Sequence, residues 1–250
     1  MKYINIILFK TWADLRAEAS RAYIGFIWWF LEPLLYMSAF YLIFGLGLRM
    51  GGEGFIYFLL AGLVPWKWFS STVANGSRAI EAGAGMIHQV YIPKVVLPSI
   101  IVAVNTVKFL MILPLLIGFL LINREGTQVN WVMLFPLVLL QLLFIWSVAA
   151  LSSAIVPFVH DVRYIIENGL LFLMFLSGIF FQFDALDPAV RSVLLLNPMA
   201  ILIESFREVL MYGGYPDFSQ LTYVLVLSLV TAAIAVTMLL HYDRRYPKVL

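Results

Sequence analysis

The sequence has no cysteine and little charge. Among its 250 residues there is no Cys, charged residues make up only 12%, and hydrophobic residues make up 63%. A soluble domain is roughly a quarter charged and about half apolar. The lack of cysteine excludes disulfides, thiolate metal sites and cysteine nucleophiles. The composition predicts an integral membrane protein, and the net charge of +2 indicates no particular partner.

Motifs of nucleotide-binding and hydrolytic enzymes are absent as well. The sequence has no G-x-x-x-x-G-K-[ST] phosphate loop, and the glycine-rich stretch GAGMIH at residues 83–88 lacks the phosphate-binding lysine. Neither H-E-x-x-H nor G-x-S-x-G occurs. His88, His160 and His241 lie near separate predicted helix ends, so we expect no metal site. We therefore expect neither a catalytic site nor a cofactor in this chain.

Long apolar stretches indicate the architecture. A helix needs about 20 residues to cross roughly 30 Å of hydrocarbon. Residues 1–24 precede the first such stretch and mix charged with apolar residues, which predicts an amphipathic helix in the membrane interface. The sequence thus predicts an all-α membrane protein with one transmembrane domain over residues 1–250. Its six predicted transmembrane helices are residues 25–48, 55–74, 95–122, 131–159, 164–183 and 221–241.

The positions of lysine and arginine predict the orientation. Most of the 16 Lys and Arg residues fall on one side if the six helices alternate in direction. Because such residues are enriched in cytoplasmic loops, we expect both termini in the cytoplasm. The charges in residues 1–21 also argue against a signal peptide.

Residues 184–214 differ from the rest of the chain. The apolar run 193–196 is too short to cross a membrane, and Asn197-Pro198 interrupts it because proline disfavours helix at the preceding residue. A second helical piece follows at residues 199–212. We predict a re-entrant helical hairpin that enters the membrane from outside, with a plain extracellular loop as the alternative.

Four charged residues fall inside predicted spans, one of which is Lys108 in the third span. Lys67 lies between two tryptophans, roughly 10 Å from the inner end of its helix at 1.5 Å per residue. Glu32 and Glu167 lie within about two turns of an inner end. Charge at such depth is a functional hypothesis. The alternatives are that Lys67 extends to lipid phosphate, and that Glu167 pairs with Arg163 four residues earlier.

Four stretches of sequence carry a family resemblance. They are SRAYIGFIWWFLEPLL at residues 20–35, AGLVPWKWFSSTV at 61–73, VYIPKVVLP at 90–98 and LNPMAILIESFRE at 196–208. With these motifs in this order, the chain resembles the membrane permeases of type-two ATP-binding-cassette (ABC) exporters. It is most similar to the branch that exports polysaccharides, namely O-antigen, teichoic acid and group-two capsule permeases.

Two positions depart from the family pattern. His160-Asp161 stands where the family often has Arg-Asp, and Gly178 stands where a proline often follows Leu-Ser. The fold expectation is unchanged, but the subfamily stays open. The Leu31-Glu32-Pro33 sequence and the IEAGAGMI loop are slightly closer to capsule permeases.

The resemblance implies a subunit that exports a lipid-linked polysaccharide across the bacterial inner membrane. It implies a homodimer bound to two copies of a separate ATPase subunit, which binds ATP and Mg. The other implied partners are the lipid-linked glycan, membrane lipids and periplasmic or outer-membrane export proteins, with no nucleic acid among them. Alternatives are a drug, haem or lipid exporter, which would usually carry a large extracellular insert, and a membrane-bound lipid-modifying enzyme, which would need an acid–base cluster.

The resemblance also implies three functional regions. Residues 76–94 form a cytoplasmic coupling loop, for which a passive interfacial loop is the alternative, and residues 184–214 close the outer end of a channel. The candidate coupling residues are Arg78, Glu81, Gly83, Gly85, His88, Tyr91, Pro93 and Lys94. The candidate residues at the cytoplasmic entrance are Arg16, Arg21, Glu32, Trp66, Lys67 and Trp68, and the hypothesis for Lys67 is contact with the anionic phosphate of the lipid-linked substrate. The candidate residues of the external gate are Asn197, Pro198, Glu204 and Arg207.

Aromatic residues are the candidates for the translocation path. Sugars have apolar C–H faces that stack on aromatic rings. On the first predicted helix, offsets of 7, 11 and 15 residues are close to whole turns and place four aromatics near one face. Ordinary helix packing is the alternative, because membrane proteins are rich in aromatics. The candidates are Trp29, Tyr36, Phe40, Phe44, Phe172 and Phe175.

Overall fold

The computed structural model describes residues 2–21, 25, 27–47, 54–89, 91–123 and 129–249. For residues 2, 21, 33, 44–46 and 123 it describes the backbone only. The side chains of two predicted site residues, Arg21 and Phe44, therefore lie outside the described part of the chain. The described residues are mainly helical and contain no β-strand, which confirms the all-α prediction for this part.

The helices follow one another with short connections. A π-helical segment, Tyr41–Gly47, extends α2, another, Glu208–Tyr212, extends α10, and a 3-10 turn, Phe183–Ala185, precedes α9. The α-helices in chain order are α1 (Lys2–Arg21), α2 (Ile27–Phe40), α3 (Phe55–Ser77), α4 (Ala79–Ala82), α5 (Ala84–Gln89), α6 (Val96–Asn123), α7 (Trp131–Ile155), α8 (Asp161–Leu176), α9 (Pro188–Leu194), α10 (Pro198–Arg207), α11 (Phe218–His241) and α12 (Tyr246–Val249).

Among the described residues, three helices are long and apolar enough to cross a membrane, whereas the sequence predicts six spans. The three are α6, α7 and α11, and the pair of α9 with residues 198–212, bent by 105°, would be a fourth if it formed one span. The helix α3 has 23 residues, but Lys67 and its polar last turns lower its hydropathy. The first predicted span lies partly outside the described residues.

The helix α8 is shorter than the span predicted at residues 164–183. It has 16 residues and ends at Leu176. Gly178 then adopts a left-handed conformation with φ of 72°, which suits glycine because it has no Cβ. The chain therefore leaves the helix before residue 183, and the ring of Phe183 packs against Gly178.

The helix α3 lies at the centre of the fold and is buried along most of its length. It packs against α6, α7 and α10. Gly76 allows a close approach to α7, because a Cβ at this position would lie 2.8 Å from the Cβ of Ala149. Gln141 of α7 also donates a buried hydrogen bond of 2.8 Å to the carbonyl of Pro65. These two contacts fix α3 against α7 at two depths.

One end of the bundle, here called the loop end, consists of residues 76–89, 91–95, 156–161 and 242–249. Ile80 and Leu239 share a small buried core there with Tyr246. The hydroxyl of Tyr246 donates to the carbonyl of Ala154 at 3.1 Å, and burial raises the pKa of Tyr246 above its ordinary value. The C-terminal turn is thus held against the segment that follows α3.

The N-terminal helix α1 packs against α6. Leu15 packs in a small core with Ile100 and Val104 of α6. On the other side of α1, Phe9 and Trp12 are exposed. The helix therefore presents one apolar face to the protein and a second apolar surface outward.

Candidate functional site

A cavity of about 510 Å³ opens between α1, α2, α3, α6 and α8. Its wall combines carboxylates, lysines, amides and tryptophans, which is unusual inside an apolar helix bundle. This cavity is called the polar cavity below. Its polar and aromatic lining residues include Glu18, Glu32, Glu167, Lys67, Lys108, Asn75, Asn105, Trp28, Trp29 and Trp68.

One wall of the polar cavity is a fixed charge cluster. Lys108 of α6 lies 2.6 Å from both carboxylate oxygens of Glu18 on α1. Glu18 also accepts a hydrogen bond of 3.2 Å from Nε1 of Trp29. The ammonium of Lys108 lies 5.3 Å from the centre of the Trp29 ring, within range of a cation–π contact. This cluster joins α1, α2 and α6.

Lys67 also lines the polar cavity and is not a lone charge. Its Nζ lies 2.6 Å from Oε1 of Glu32 on α2 and 5.1 Å from the centre of the Tyr36 ring. Sequence analysis selected Glu32 and Lys67 separately and missed their pairing, because only the packing of α2 on α3 brings them together. The two tryptophans that flank Lys67, Trp66 and Trp68, are buried.

A second, smaller cavity adjoins the polar cavity. It has a volume of about 220 Å³ and is called the apolar groove below. Leu63, Trp66, Leu171 and Met174 supply much of its lining. The residues that line both cavities are Lys67, Ser70 and Leu170. Lys67 therefore lies at the boundary between a polar and an apolar compartment.

Trp68 adds an unused hydrogen-bond donor to the polar cavity. Its side chain is only 3% exposed, and its ring stacks on Phe109 with centroids 4.1 Å apart. Within the described part of the chain, Nε1 of Trp68 is buried without a hydrogen-bond partner. A buried indole N–H usually has a partner, so this donor suits a polar group that occupies the cavity.

The predicted aromatic stripe on α2 divides between two places. Trp29 belongs to the polar cavity. Tyr36 and Phe40 stack with centroids 6.4 Å apart, and Phe40 packs on Phe180 at 4.5 Å. Phe180 in turn contacts Phe175 of α8 at 5.5 Å. The candidates Tyr36, Phe40 and Phe175 thus belong to one aromatic cluster around Phe180.

Phe172, the other aromatic candidate on α8, is largely exposed. Its side chain is 70% exposed on α8. It therefore faces outward from the described chain.

Glu167 connects α8 to the beginning of the loop end. Its carboxylate accepts a hydrogen bond from Nε of Arg163 at 3.1 Å, which confirms the pairing predicted from their spacing. It also pairs with Arg78, just after α3. The second partner was not predicted, because it lies far away in the sequence. Nε2 of His160 lies 3.5 Å from Oε1 of Glu81. His160 is one of the two positions that depart from the family pattern.

The predicted coupling residues separate into buried and exposed sets. Lys94 is buried and lies 3.7 Å from Asp243, and Gly83 packs closely against Leu97. Pro93 is half-buried. These side chains hold the loop rather than extend from it. The exposed coupling candidates are Gly85, His88 and Tyr91.

Tyr91 is exposed but not free. A hydrogen bond to the Asp243 carboxylate raises the pKa of Tyr91 above its ordinary value. Asp243 therefore contacts the loop through both Tyr91 and Lys94. The exposed surface of the loop is thus anchored to the C-terminal turn.

The second helix of the predicted external hairpin, α10, begins at the Asn197-Pro198 break that the sequence indicates. The Asn197 side chain accepts from the backbone N–H of Met199 at 3.0 Å, which is the usual arrangement at a helix N-cap. Pro198 is the first helical residue, where proline is favoured. The Asn197 amide also donates to the hydroxyl of Ser177 at 2.8 Å, so α10 starts against the end of α8.

Arg207 ends α10 and is buried, with 4% of its surface exposed. Its guanidinium donates to the carbonyls of Gly178 at 2.7 Å and Ile179 at 3.0 Å. It also donates to the carbonyl of Phe58 at 3.3 Å. Gly62 makes room for it, because a Cβ there would lie 2.8 Å from Nη2. Arg207 thus bonds to α3 and to the turn after α8.

The other charged hairpin residues are closer to the surface. Glu204 lies 3.8 Å from Arg191, and Arg191 pairs with Asp184 at 2.8 Å. On α1, the side chain of Arg16, a candidate residue of the cytoplasmic entrance, is exposed.

Comparison with known proteins identifies related sequences. The family model described as ABC-2 type transporter matches residues 68–211. The O-antigen export system permease protein RfbA of Myxococcus xanthus is 31% identical over 92% of this chain and 89% of its own length. RfbA of Klebsiella pneumoniae is 27% identical over 85% of each chain. The polysialic acid transport protein KpsM of Escherichia coli is 26% identical over 90% of this chain and 88% of its own length.

We expect Arg207→Met to destabilise the protein strongly. Methionine keeps the length of the side chain but leaves the buried carbonyls of Gly178 and Ile179 without their donor, at a cost of about 1–3 kcal/mol for each unsatisfied group. The apparent melting temperature in detergent measures the effect. Arg191→Met, which removes a half-exposed ion pair, is the control and should change stability by less than about 1 kcal/mol. Equal losses in both variants would contradict the assigned role of Arg207.

Proposed function

Because the chain belongs to the ABC-2 type transporter family, we propose that it is the membrane-spanning permease of a polysaccharide exporter. It moves a lipid-linked polysaccharide of capsule, O-antigen or teichoic-acid type from the cytoplasm across the bacterial inner membrane. The observation that carries the proposal is the similarity over 92% of the chain to a permease named for O-antigen export. The polar cavity, lined by three tryptophans and several charged groups, supports a glycan as the substrate.

The proposed energy source is a separate ATPase subunit. The absence of a phosphate loop from the sequence supports a permease that does not itself hydrolyse ATP. The proposed assembly is a homodimer of this chain with two ATPase subunits, which bind ATP and Mg. Periplasmic or outer-membrane export proteins would receive the glycan.

The proposed topology has six spans with both termini in the cytoplasm. The chain is a multi-pass membrane protein, and α2 with its π-helical extension, α3 and α8 would supply the spans beyond α6, α7 and α11. Residues 184–214 form the re-entrant hairpin and α1 lies in the interface. The bend of 105° between α9 and α10 supports the hairpin. So does Arg207, because non-spanning backbone within a membrane must be shielded and hydrogen-bonded by protein.

The proposed contact with the ATPase is the loop of residues 76–94. Its exposed residues Gly85, His88 and Tyr91 would meet the ATPase, while Lys94 holds the loop to the C-terminal turn. Arg78 and Glu81 connect the loop to α8 and to the turn before it. A displacement of the loop would therefore reach α8, which borders both cavities.

The proposed path for the glycan runs from the polar cavity to the aromatic cluster. Arg16, Arg21, Glu32 and Lys67 would surround the cytoplasmic entrance, with Trp66 and Trp68 in its wall. Tyr36, Phe40 and Phe175 would stack on sugar rings further along, with Trp29, Phe44 and Phe172 as the other proposed contacts. The outer end would close at the hairpin through Asn197, Pro198, Glu204 and Arg207.

Stimulation of ATP hydrolysis by the substrate tests the function directly. The permease should co-purify with its ATPase, and lipid-linked glycan from the same bacterium should raise the hydrolysis rate of the complex in lipid nanodiscs. The lipid carrier without glycan, haem and a set of lipophilic drugs are the comparison ligands. Stimulation by haem or drugs but not by lipid-linked glycan would overturn the proposal.

Replacing two aromatics tests the path. Tyr36→Leu with Phe40→Leu should leave assembly with the ATPase intact but lower glycan export by roughly 3- to 10-fold, since an aromatic contact contributes about 0.5–1.5 kcal/mol. Export is measured by transfer of glycan into inverted vesicles. Phe135→Leu, at an exposed position of α7, is the matched control. Unchanged export in the double variant would exclude these rings from the path.

Altering the loop tests the ATPase contact. Glu81→Lys combined with an insertion at residues 83–85 should uncouple ATP hydrolysis from export, because it reverses the charge facing His160 and lengthens the proposed contact. The measurement is the amount of glycan exported per ATP hydrolysed. Glu81→Gln without an insertion is the milder control. If the altered complex co-purifies and couples normally, the loop does not bind the ATPase.

A further inference from the structure

We propose that Lys67 forms a subsite for the phosphate group of a lipid-linked substrate, and that Glu32 occupies this subsite when no substrate is bound. The inference rests on the proposed function and specifies how the substrate would be recognised. It assigns the phosphate linkage to Lys67, the first sugars to the polar cavity and the beginning of the lipid chain to the apolar groove.

The arrangement of the two cavities carries the inference. The polar cavity and the apolar groove meet at Lys67, Ser70 and Leu170, which line both. A lipid-linked glycan has the same order of chemistry: hydroxyl-rich sugars, then a phosphate, then a hydrocarbon chain. Lys67 lies at the point where the phosphate of such a molecule would lie.

The groups around this boundary suit a phosphate. The ammonium of Lys67 supplies the charge, and a lysine is a common phosphate ligand. Ser70 lines both cavities, and its hydroxyl donates a long hydrogen bond of 3.4 Å to the carbonyl of Lys67. Trp68 lines the polar cavity but not the apolar groove, and its Nε1 is a buried donor that no described group accepts. These donors complement an anion with several acceptor oxygens.

The pairing of Lys67 with Glu32 is suited to exchange. The two side chains are 32% and 38% exposed, and Nζ of Lys67 lies 2.6 Å from Oε1 of Glu32. Solvent weakens such a pair, whereas a phosphate offers more charge and more acceptor oxygens than a carboxylate. Lys108, the other lysine of the polar cavity, is different. It is 16% exposed and lies 2.6 Å from both oxygens of Glu18.

A binding measurement tests the subsite. The probe is a polyisoprenyl diphosphate, added to the purified permease–ATPase complex in phosphatidylcholine nanodiscs. Tryptophan fluorescence gives the Kd, because Trp66 and Trp68 line the two cavities. Comparison ligands are the polyisoprenol of the same length and inorganic diphosphate. We expect the polyisoprenyl diphosphate to bind at least about tenfold more tightly than either, since a hydrogen bond to a charged group contributes about 1.5–3 kcal/mol.

Variants of the ion pair separate phosphate binding from a structural role. Lys67→Gln should weaken binding of the polyisoprenyl diphosphate by about tenfold or more, on the same estimate for a charged hydrogen bond. Lys67→Arg should retain it, and Glu32→Gln should strengthen it because the competing carboxylate is gone. The exchange of charges, Glu32→Lys with Lys67→Glu, rebuilds the ion pair but moves the ammonium. Recovery of wild-type affinity in this exchange variant would overturn the inference.

Lys108→Gln is the matched control. It removes one lysine from the polar cavity but none from the boundary with the apolar groove, so affinity for the sugar-free probe should stay close to that of the wild type. A loss equal to that of Lys67→Gln would indicate a diffuse positive field and would overturn the subsite.

The comparison ligands distinguish other occupants. Equal affinity for polyisoprenol would show that the groove binds lipid without reading the phosphate. Equal affinity for inorganic diphosphate would show a site for free phosphate. Full displacement of the probe in nanodiscs enriched in phosphatidylglycerol would identify ordinary membrane lipid as the occupant. Each of these results overturns the assignment to a lipid-linked substrate.

The same complex separates failure of the subsite from failure of the proposed function. If lipid-linked glycan stimulates ATP hydrolysis equally in the wild type and in Lys67→Gln, the subsite is wrong and the export function stands. If lipid-linked glycan fails to stimulate the wild type, while the polyisoprenyl diphosphate binds in a Lys67-dependent way, the function is wrong and the site binds another lipid phosphate.

Discussion

The buried guanidinium of Arg207 is the interaction on which the rest of the described structure depends. A charge removed from water is costly unless it is hydrogen-bonded on all sides. Here its partners are the carbonyls of Gly178, Ile179 and Phe58, which belong to the turn after α8 and to α3. A single side chain at the end of α10 therefore joins three elements. It bonds to the turn that follows α8 and to the first turn of α3.

The charged residues of this protein differ in how firmly they are held, and their functions follow from that difference. Lys94 is enclosed and holds the loop end together, while Lys108 is fixed by both oxygens of Glu18. Lys67 is more exposed than Lys108 and lies where two cavities of opposite polarity meet. A transport protein needs firmly held charges such as Lys94 and Lys108 to keep its helices in place. It also needs charges such as Lys67 that can exchange one ionic partner for another.

Sequence analysis predicted the local features of the fold and missed most of the long-range pairs. The helix start at Asn197-Pro198 and the contact of Arg163 with Glu167 depend on residues a few positions apart, so the pattern alone suffices. The pairing of Lys67 with Glu32 depends on how two helices pack, which hydropathy does not encode. The early end of α8 was missed because the left-handed turn at Gly178 lies inside an apolar run.

The C-terminal turn gives the loop end a mechanical property. Asp243 contacts Tyr91 and Lys94, and Tyr246 is bonded to the last turn of α7 through Ala154. The last residues of the chain therefore hold the loop against the last turn of α7, so the loop cannot move away from the C-terminal turn without breaking these contacts. The loop and the C-terminal turn therefore form one connected unit at this end of the bundle.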